Sequence, residues 1–158
     1  MSYSKEQYEE AMKYQDFVVH ELYKAGIVVV LNSSMHYQYN EGESLSGVEI
    51  KQDCKFKETG NLYIETAEKT DEKNRNYVES GVFRGDNAWL FVIGDYENIY
   101  VFDVKMLKRI NGWEATRHKE TPTSQGFLVP KKWADEYCVK YLKPKGEKVN
   151  ADINFWSQ

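Results

Sequence analysis

Gly47-Val48-Glu49-Ile50-Lys51-Gln52-Asp53, followed at Gly60 by Gly60-Asn61-Leu62-Tyr63-Ile64-Glu65-Thr66-Ala67-Glu68-Lys69, is the stretch on which the fold turns. Residues 47–53 and 61–69 each alternate apolar and polar side chains with the period of a β-strand, and Glu58-Thr59-Gly60 between them has turn character. The pattern predicts a hairpin. Folded about Thr59, it pairs Asp53 with Glu65, Lys51 with Ala67 and Glu49 with Lys69, because facing positions keep a constant sum. Val48, Ile50, Leu62 and Ile64 then form the core face. Glu49, Lys51, Asp53, Glu65, Ala67 and Lys69 share the other. Directly opposed carboxylates, with Cβ atoms about 4.5–5.5 Å apart, repel unless one is protonated or a cation sits between them. A divalent metal with oxygen ligands answers that need, and Mg2+ commonly takes one or two carboxylates. The same alternation also reads as an ordinary solvated strand face. On the metal reading, Asp53→Asn or Glu65→Gln relieves repulsion and leaves the fold intact or slightly more stable.

Working outward, residues 4–24 carry Tyr8, Ala11, Met12, Gln15, Val18, Val19 and Leu22 at helical spacing. Ser4 is the expected N-cap, Glu6 lies in the first turn and Gly26 is the stop. Residues 27–31 predict a short β-branched strand, and 35–40 an alternating continuation past a bulge at Ser33-Ser34. The polar run 70–79 predicts a loop or short helix. Residues 89–93 and 99–104 predict a strand pair around Gly94-Asp95-Tyr96-Glu97-Asn98. A short helix over 104–110 ends at Asn111-Gly112, and Pro130 opens a helix over 131–142 with Trp133, Tyr137 and Tyr141 on one face. The order α, β, β, β, crossover, β, β, α predicts a mixed α/β chain with a central sheet flanked by helices.

The whole length, 158 residues with 41% hydrophobic and 15% aromatic side chains, supports one domain over 1–158 with its own core, and no repeat or linker divides it. Disorder and a disulfide scaffold are excluded by that composition. No apolar run reaches the ~18–20 residues of a membrane span. The polar start, Met1-Ser2-Tyr3-Ser4-Lys5-Glu6, predicts no secretory leader and hence a cytoplasmic protein, with Cys54 and Cys138 as reduced thiols. Net charge is −4. Residues 1–100 hold 10 basic and 18 acidic side chains, against 11 and 7 in 101–158. That split suits a metal-loaded site beside a phosphate-facing surface, and it also occurs in ordinary domains.

The text Gly42-Glu43-Ser44, then Gly47–Asp53, then Gly60–Lys69 resembles the small PD-(D/E)xK nucleases of phage and prophage type, which have the restriction-endonuclease-like fold. Their pattern is an Asp on one strand, then Glu/Asp-x-Lys on the next. The resemblance spans about residues 21–104, and its αβββαβ core agrees with the element order above. It implies Asp53 and Glu65 as metal-binding acids, the carbonyl of Thr66 as a third ligand and Glu21 as a further acid from the preceding helix. Mg2+ or Mn2+ is the implied cofactor, and DNA the implied partner, with a homodimer compatible. The implied reaction is metal-dependent hydrolysis of a DNA phosphodiester, by an endonuclease or an exonuclease.

This chain departs from the pattern at Ala67, where the family has Lys. In the hairpin register Lys51 lies across from that position, and Lys69 is the second candidate to orient water and stabilise charge. Glu49 then binds a second metal or holds Lys69. Without a lysine in reach, the domain reads as an inactive nucleic-acid- or protein-binding member of the same fold.

Other motifs add little. His20, His36 and His118 lack zinc-ligand spacing, and Cys54 has no histidine beside it in sequence. Trp89, Phe91, Tyr96, Tyr100 and Phe102 read as sheet core ahead of a base-stacking surface. Lys131, Lys132, Lys140, Lys143 and Lys145 read equally as a DNA track or a solvated helix face.

Overall fold

The computed structural model describes residues 4–31 and 42–145, so the expectation for 35–40 lies outside the described residues. Helix α1 (Lys5–Lys24) begins at a capping box: Ser4 Oγ accepts from Gln7 N–H at 3.2 Å, and Gln7 Oε1 accepts from Ser4 N–H at 3.1 Å. Two of the helix's orphan donors are thereby met. Tyr14, Val18 and Leu22 are its buried stripe.

The chain leaving α1 does not form the strand expected over 27–31. Ile27 and Val29 pack against the α1 cluster while Val28 and Val30 stay exposed, and a single bridge joins Leu31 to Ser44. The alternation there is met by packing on α1, and among the described residues no named strand pairs with it.

Strands β1 (Val48–Gln52) and β2 (Asn61–Glu68) form where alternation places them. They do not pair. One helical turn, α2 (Phe56–Thr59), separates them; Phe56 is buried, and Gly60 closes the turn at φ +70°. Burying Phe56 pulls the connection into the core and sends β2 into a second sheet, so the predicted hairpin and its Asp53–Glu65, Lys51–Ala67 and Glu49–Lys69 pairings are absent.

The strands are divided between two sheets in place of one central sheet. The first takes β1, then β4 (Leu90–Gly94), β5 (Ile99–Asp103) and β8 (Lys140–Leu142), in that spatial order. The second takes β3 (Val78–Glu79), β2, β7 (Ser124–Pro130) and β6 (His118–Glu120). β1 runs parallel to β4, with Glu49 beside Phe91 and Lys51 beside Ile93. The predicted β4–β5 hairpin is present. Asp95 Oδ1 accepts from the N–H groups of Glu97 and Asn98 to shape its turn.

Val48 and Ile50 pack with Leu90, Val92, Ile99 and Val101 under α1. The opposite face of the same sheet, Phe91, Ile93, Tyr100 and Phe102, meets Leu62, Ile64, Phe127 and Val129 of the second sheet. Helix α3 (Val104–Asn111) starts at Asp103, whose Oδ1 accepts from Lys105 N–H at 2.7 Å, and buries Leu107 and Ile110 against that second core.

Helix α4 covers only Lys131–Tyr137, shorter than the expected 131–142. Cys138 turns extended, Val139 N–H donates to the Val101 carbonyl, and Lys140–Leu142 joins the first sheet as β8. Pairing with β5 overrides helical spacing there. Trp133 and Tyr137 do share a face, both edge-on to Trp113 at 5.3 and 4.9 Å. Among the described residues no helix is long and apolar enough to cross a membrane.

Candidate active site

Three of the residues expected to do chemistry, Lys51, Asp53 and Glu65, line one cleft of about 670 Å³ although β1 and β2 belong to different sheets. The contact that brings them together is made by Asp53, which sits just past the end of β1. Its Oδ2 accepts from Tyr63 N–H on the free edge of β2 at 2.8 Å, and its Oδ1 accepts from Lys55 N–H at 3.0 Å. A carboxylate standing in for a neighbouring strand thus ties the first sheet to the second. Asp53 and Tyr63 meet, and Glu65 lies two residues further along β2, about 7 Å by strand rise.

Glu65 is held by two hydroxyls. Ser80 Oγ donates to its Oε1 at 2.7 Å and Ser124 Oγ to its Oε2 at 2.8 Å. Because that hydrogen of Ser124 is used, Tyr63 O–H donates to Ser124 Oγ across 2.7 Å, which makes a relay Tyr63–Ser124–Glu65. Burial raises the Tyr63 phenol above its ordinary range, so the relay's proton stays on oxygen at neutral pH. Ser80 is brought to Glu65 by the turn at Gly81, where an added Cβ would collide with the Glu65 carbonyl. Only glycine allows that approach.

On β1, Glu49 and Lys51 point toward the second core, two residues apart on one face. Lys51 Nζ lies 3.0 Å from Glu43 Oε1 and 3.3 Å from Glu49 Oε1. Glu43 Oε2 also accepts from Ile50 N–H at 3.3 Å, which covers the outer edge of β1. Glu49 is 2% exposed, and its Oε2 has no hydrogen-bond partner among the described residues. Burial, opposed by Lys51 and reinforced by Glu43 and Asp86, pushes its carboxyl up to about 7. Burial would lower the Lys51 ammonium, but Glu43 and Glu49 outweigh it and hold it above the ordinary lysine range.

The remaining expected residues lie elsewhere. Lys69 places its Nζ 4.2 Å from the centre of the Tyr77 ring and does not line the cleft, so Glu49 holds Lys51 and not Lys69. Ala67 pairs with Gln125 and Glu79, not Lys51. Glu21 pairs with Lys24 at 2.8 Å on α1, outside the cleft lining. The Thr66 carbonyl accepts from Ser80 N–H at 3.0 Å, beside a bulge between Glu65 and Ala67.

Among the described residues, no group of three or more His, Cys, Asp or Glu side chains is gathered as a metal cage. Asp53 and Glu65 have the donor chemistry that a hard divalent cation takes. Both supply carboxylate oxygens, each of which accepts one hydrogen bond and keeps a further lone pair. One or two carboxylates with water is the usual protein share for Mg2+.

Sequence reasoning missed Glu43, Tyr63, Ser80 and Ser124. Glu49 and Lys51 were named, but that Glu49-Ile50-Lys51 itself spells Glu-x-Lys, on one strand and one face, went unused. The second row of the site, Ser80 and Ser124, has no local signature, because both reach Glu65 through long-range pairing. Compared with family models, curated proteins and solved structures, the chain finds no match in any of the three.

Proposed function

We propose that this protein is a metal-dependent DNA phosphodiesterase, an endonuclease or exonuclease on a restriction-endonuclease-like core. One observation carries the reading: Lys51, Asp53 and Glu65 meet at a single cleft although two different sheets supply them. The parallel β1–β4 pair after α1, with Glu49-x-Lys51 on it, is compatible with the αβββαβ core of that fold.

Asp53 and Glu65 are the residues that would hold Mg2+ or Mn2+. When bound, such an ion lowers the pKa of water and neutralises charge on the phosphate. Lys51 presents its ammonium, 44% exposed at the side chain, where negative charge develops on phosphate oxygens. Glu43 and Glu49 are positioning residues that fix that ammonium. Ser80 and Ser124 orient Glu65, and the bond from Tyr63 N–H orients Asp53.

A second reading, a noncatalytic nucleic-acid- or protein-binding member of the same fold, is favoured by one fact. All four carboxylate oxygens of Asp53 and Glu65 are already engaged within the protein. The test is cleavage of single-stranded and duplex DNA by the full chain with Mn2+, Mg2+ or EDTA. The enzyme reading expects cleavage with metal and a loss of roughly 100-fold or more in Glu65→Gln. An inert parent that also shows no thermal shift with millimolar Mn2+ overturns it.

A further inference from the structure

Lys119 on β6, Gly126 on β7 and Glu65 on β2 stand in one row across the second sheet, since Lys119 pairs with Gly126 and Gly126 with Glu65. Directly paired residues share a face, so Lys119 and Glu65 project to the same side with backbones about 10 Å apart. Gly126 supplies no side chain between them. The space above it is taken by Tyr63: a Cβ added at Gly126 would stand 2.6 Å from Tyr63 Cζ. The ring is therefore seated on the sheet, and its hydroxyl is pinned at the far end by Ser124. It lines the cleft in a fixed orientation.

Arg117, Lys119 and Lys55 line the same cleft. Among the described residues none of the three side chains has an ion-pair or hydrogen-bond partner, whereas Lys51, Lys57 and Lys131 are each paired. Three uncommitted cations around a fixed aromatic ring match a polymer that carries a phosphate at every unit and a flat ring between phosphates. In a duplex the base faces are already stacked, so only unpaired bases reach such a ring. The cleft has the volume of a small-molecule site.

We infer that the cleft binds single-stranded nucleic acid, with one base stacked on Tyr63 and the adjoining backbone held by Arg117, Lys119 and Lys55. This rests on the phosphodiesterase reading for the polymer and adds its strandedness and register.

The test is fluorescence anisotropy with the full chain in EDTA, where hydrolysis is blocked. The probes are labelled single-stranded DNA, single-stranded RNA and duplex DNA of one length. The expected result is at least about 10-fold tighter binding of a single strand than of duplex, with the two single-stranded arms showing which sugar is preferred. Three phosphate contacts predict a salt slope of about −2, and Lys119→Glu should flatten it by about 0.7. Tyr63→Ala should weaken binding by about 5- to 150-fold, and Tyr63→Phe, which keeps the ring, should restore most of that loss.

Duplex bound as tightly as single strand, or no binding of any probe, overturns the inference. So does unchanged affinity in a Tyr63→Ala protein whose circular dichroism matches the parent. Failure of the enzyme reading looks different: single strands bind as described, yet none is cut with Mn2+ or Mg2+.

Discussion

The two walls of the cleft solve one problem in opposite ways. On the β2 wall, Glu65 has each oxygen met by a serine hydroxyl, and the hydroxyls are fixed in turn by the fold. On the β1 wall, Glu49 has one oxygen against the Lys51 ammonium and the other bare, in nearly complete burial. Neutral donors hold a carboxylate in place without committing a charge. A buried ion pair with an orphan oxygen does commit one, and the protonation of Glu49 then becomes part of the fold's stability. The difference teaches that a buried, half-paired carboxylate ties the β1 wall to pH.

The largest effect follows from that. Folding raises the Glu49 carboxyl from its ordinary 4.5 to about 7, so the folded chain binds more protons than the unfolded one between those values. The contribution is fully present below about pH 4.5 and is lost as pH rises through 7. A shift of this size corresponds to about 3 kcal/mol across the window. Chemical denaturation of the parent at pH 5 and pH 8 should show that loss, and Glu49→Gln should largely remove it. Equal slopes in both proteins would erase the contrast between the walls.

Asp53→Asn comes next. The sequence alone predicts relief of repulsion and unchanged or slightly higher stability; the structure predicts the reverse. Asp53 accepts from two backbone N–H groups, and an amide turns one of its two acceptors into a donor facing the same hydrogens. The expected cost is about 2–3 kcal/mol, or roughly 4–12 °C in Tm. A Tm at or above the parent's would restore the opposed-carboxylate picture.

Lys51→Met sharpens the contrast further. It leaves Glu43 and Glu49 without their cation, so the loss should be about 2 kcal/mol at pH 8 and smaller at pH 5, where Glu49 is protonated in either protein. Urea melts at the two pH values read the difference directly. The smallest effect belongs to the other wall: Ser124→Ala removes one neutral donor from Glu65 and should cost about 1 kcal/mol in a urea melt.

Much of the fold was legible where short-range rules decide. Ser4 capping α1, Val18 and Leu22 on its buried stripe, the β4–β5 hairpin and the α3 stop at Gly112 all follow from local spacing and caps, whereas Tyr8, Ala11 and Met12, expected on that stripe, are exposed and Tyr14 is buried instead. The alternation also placed Val48, Ile50, Leu62 and Ile64 inside. It could not say that the first two face α1 and the last two face another sheet, because period two fixes faces and not partners. β6 and β8 are three residues each and take their strand character from β7 and β5.

The candidate site shows the same limit. Lys51, Asp53 and Glu65 do share a cleft, but by way of the Asp53 bond to the β2 edge and not by the register argued from the hairpin. Ser80 and Ser124 stand 15 and 59 positions from Glu65, beyond any local pattern.

The parallel pairing of β1 with β4 has a consequence for the order in which the chain folds. Val48 and Leu90 are neighbours in space, yet α2, β2 and β3 all lie between them in the chain. Closing so long a loop costs entropy before any contact repays it, whereas β4 and β5 meet across a short turn. Loop closure thus predicts that the β4–β5 ribbon forms early and that β1 docks onto it late. Lys51 rides on β1, and the Asp53 clasp to β2 closes only once β1 has arrived. The charged machinery of the cleft is thus predicted to be among the last parts to assemble.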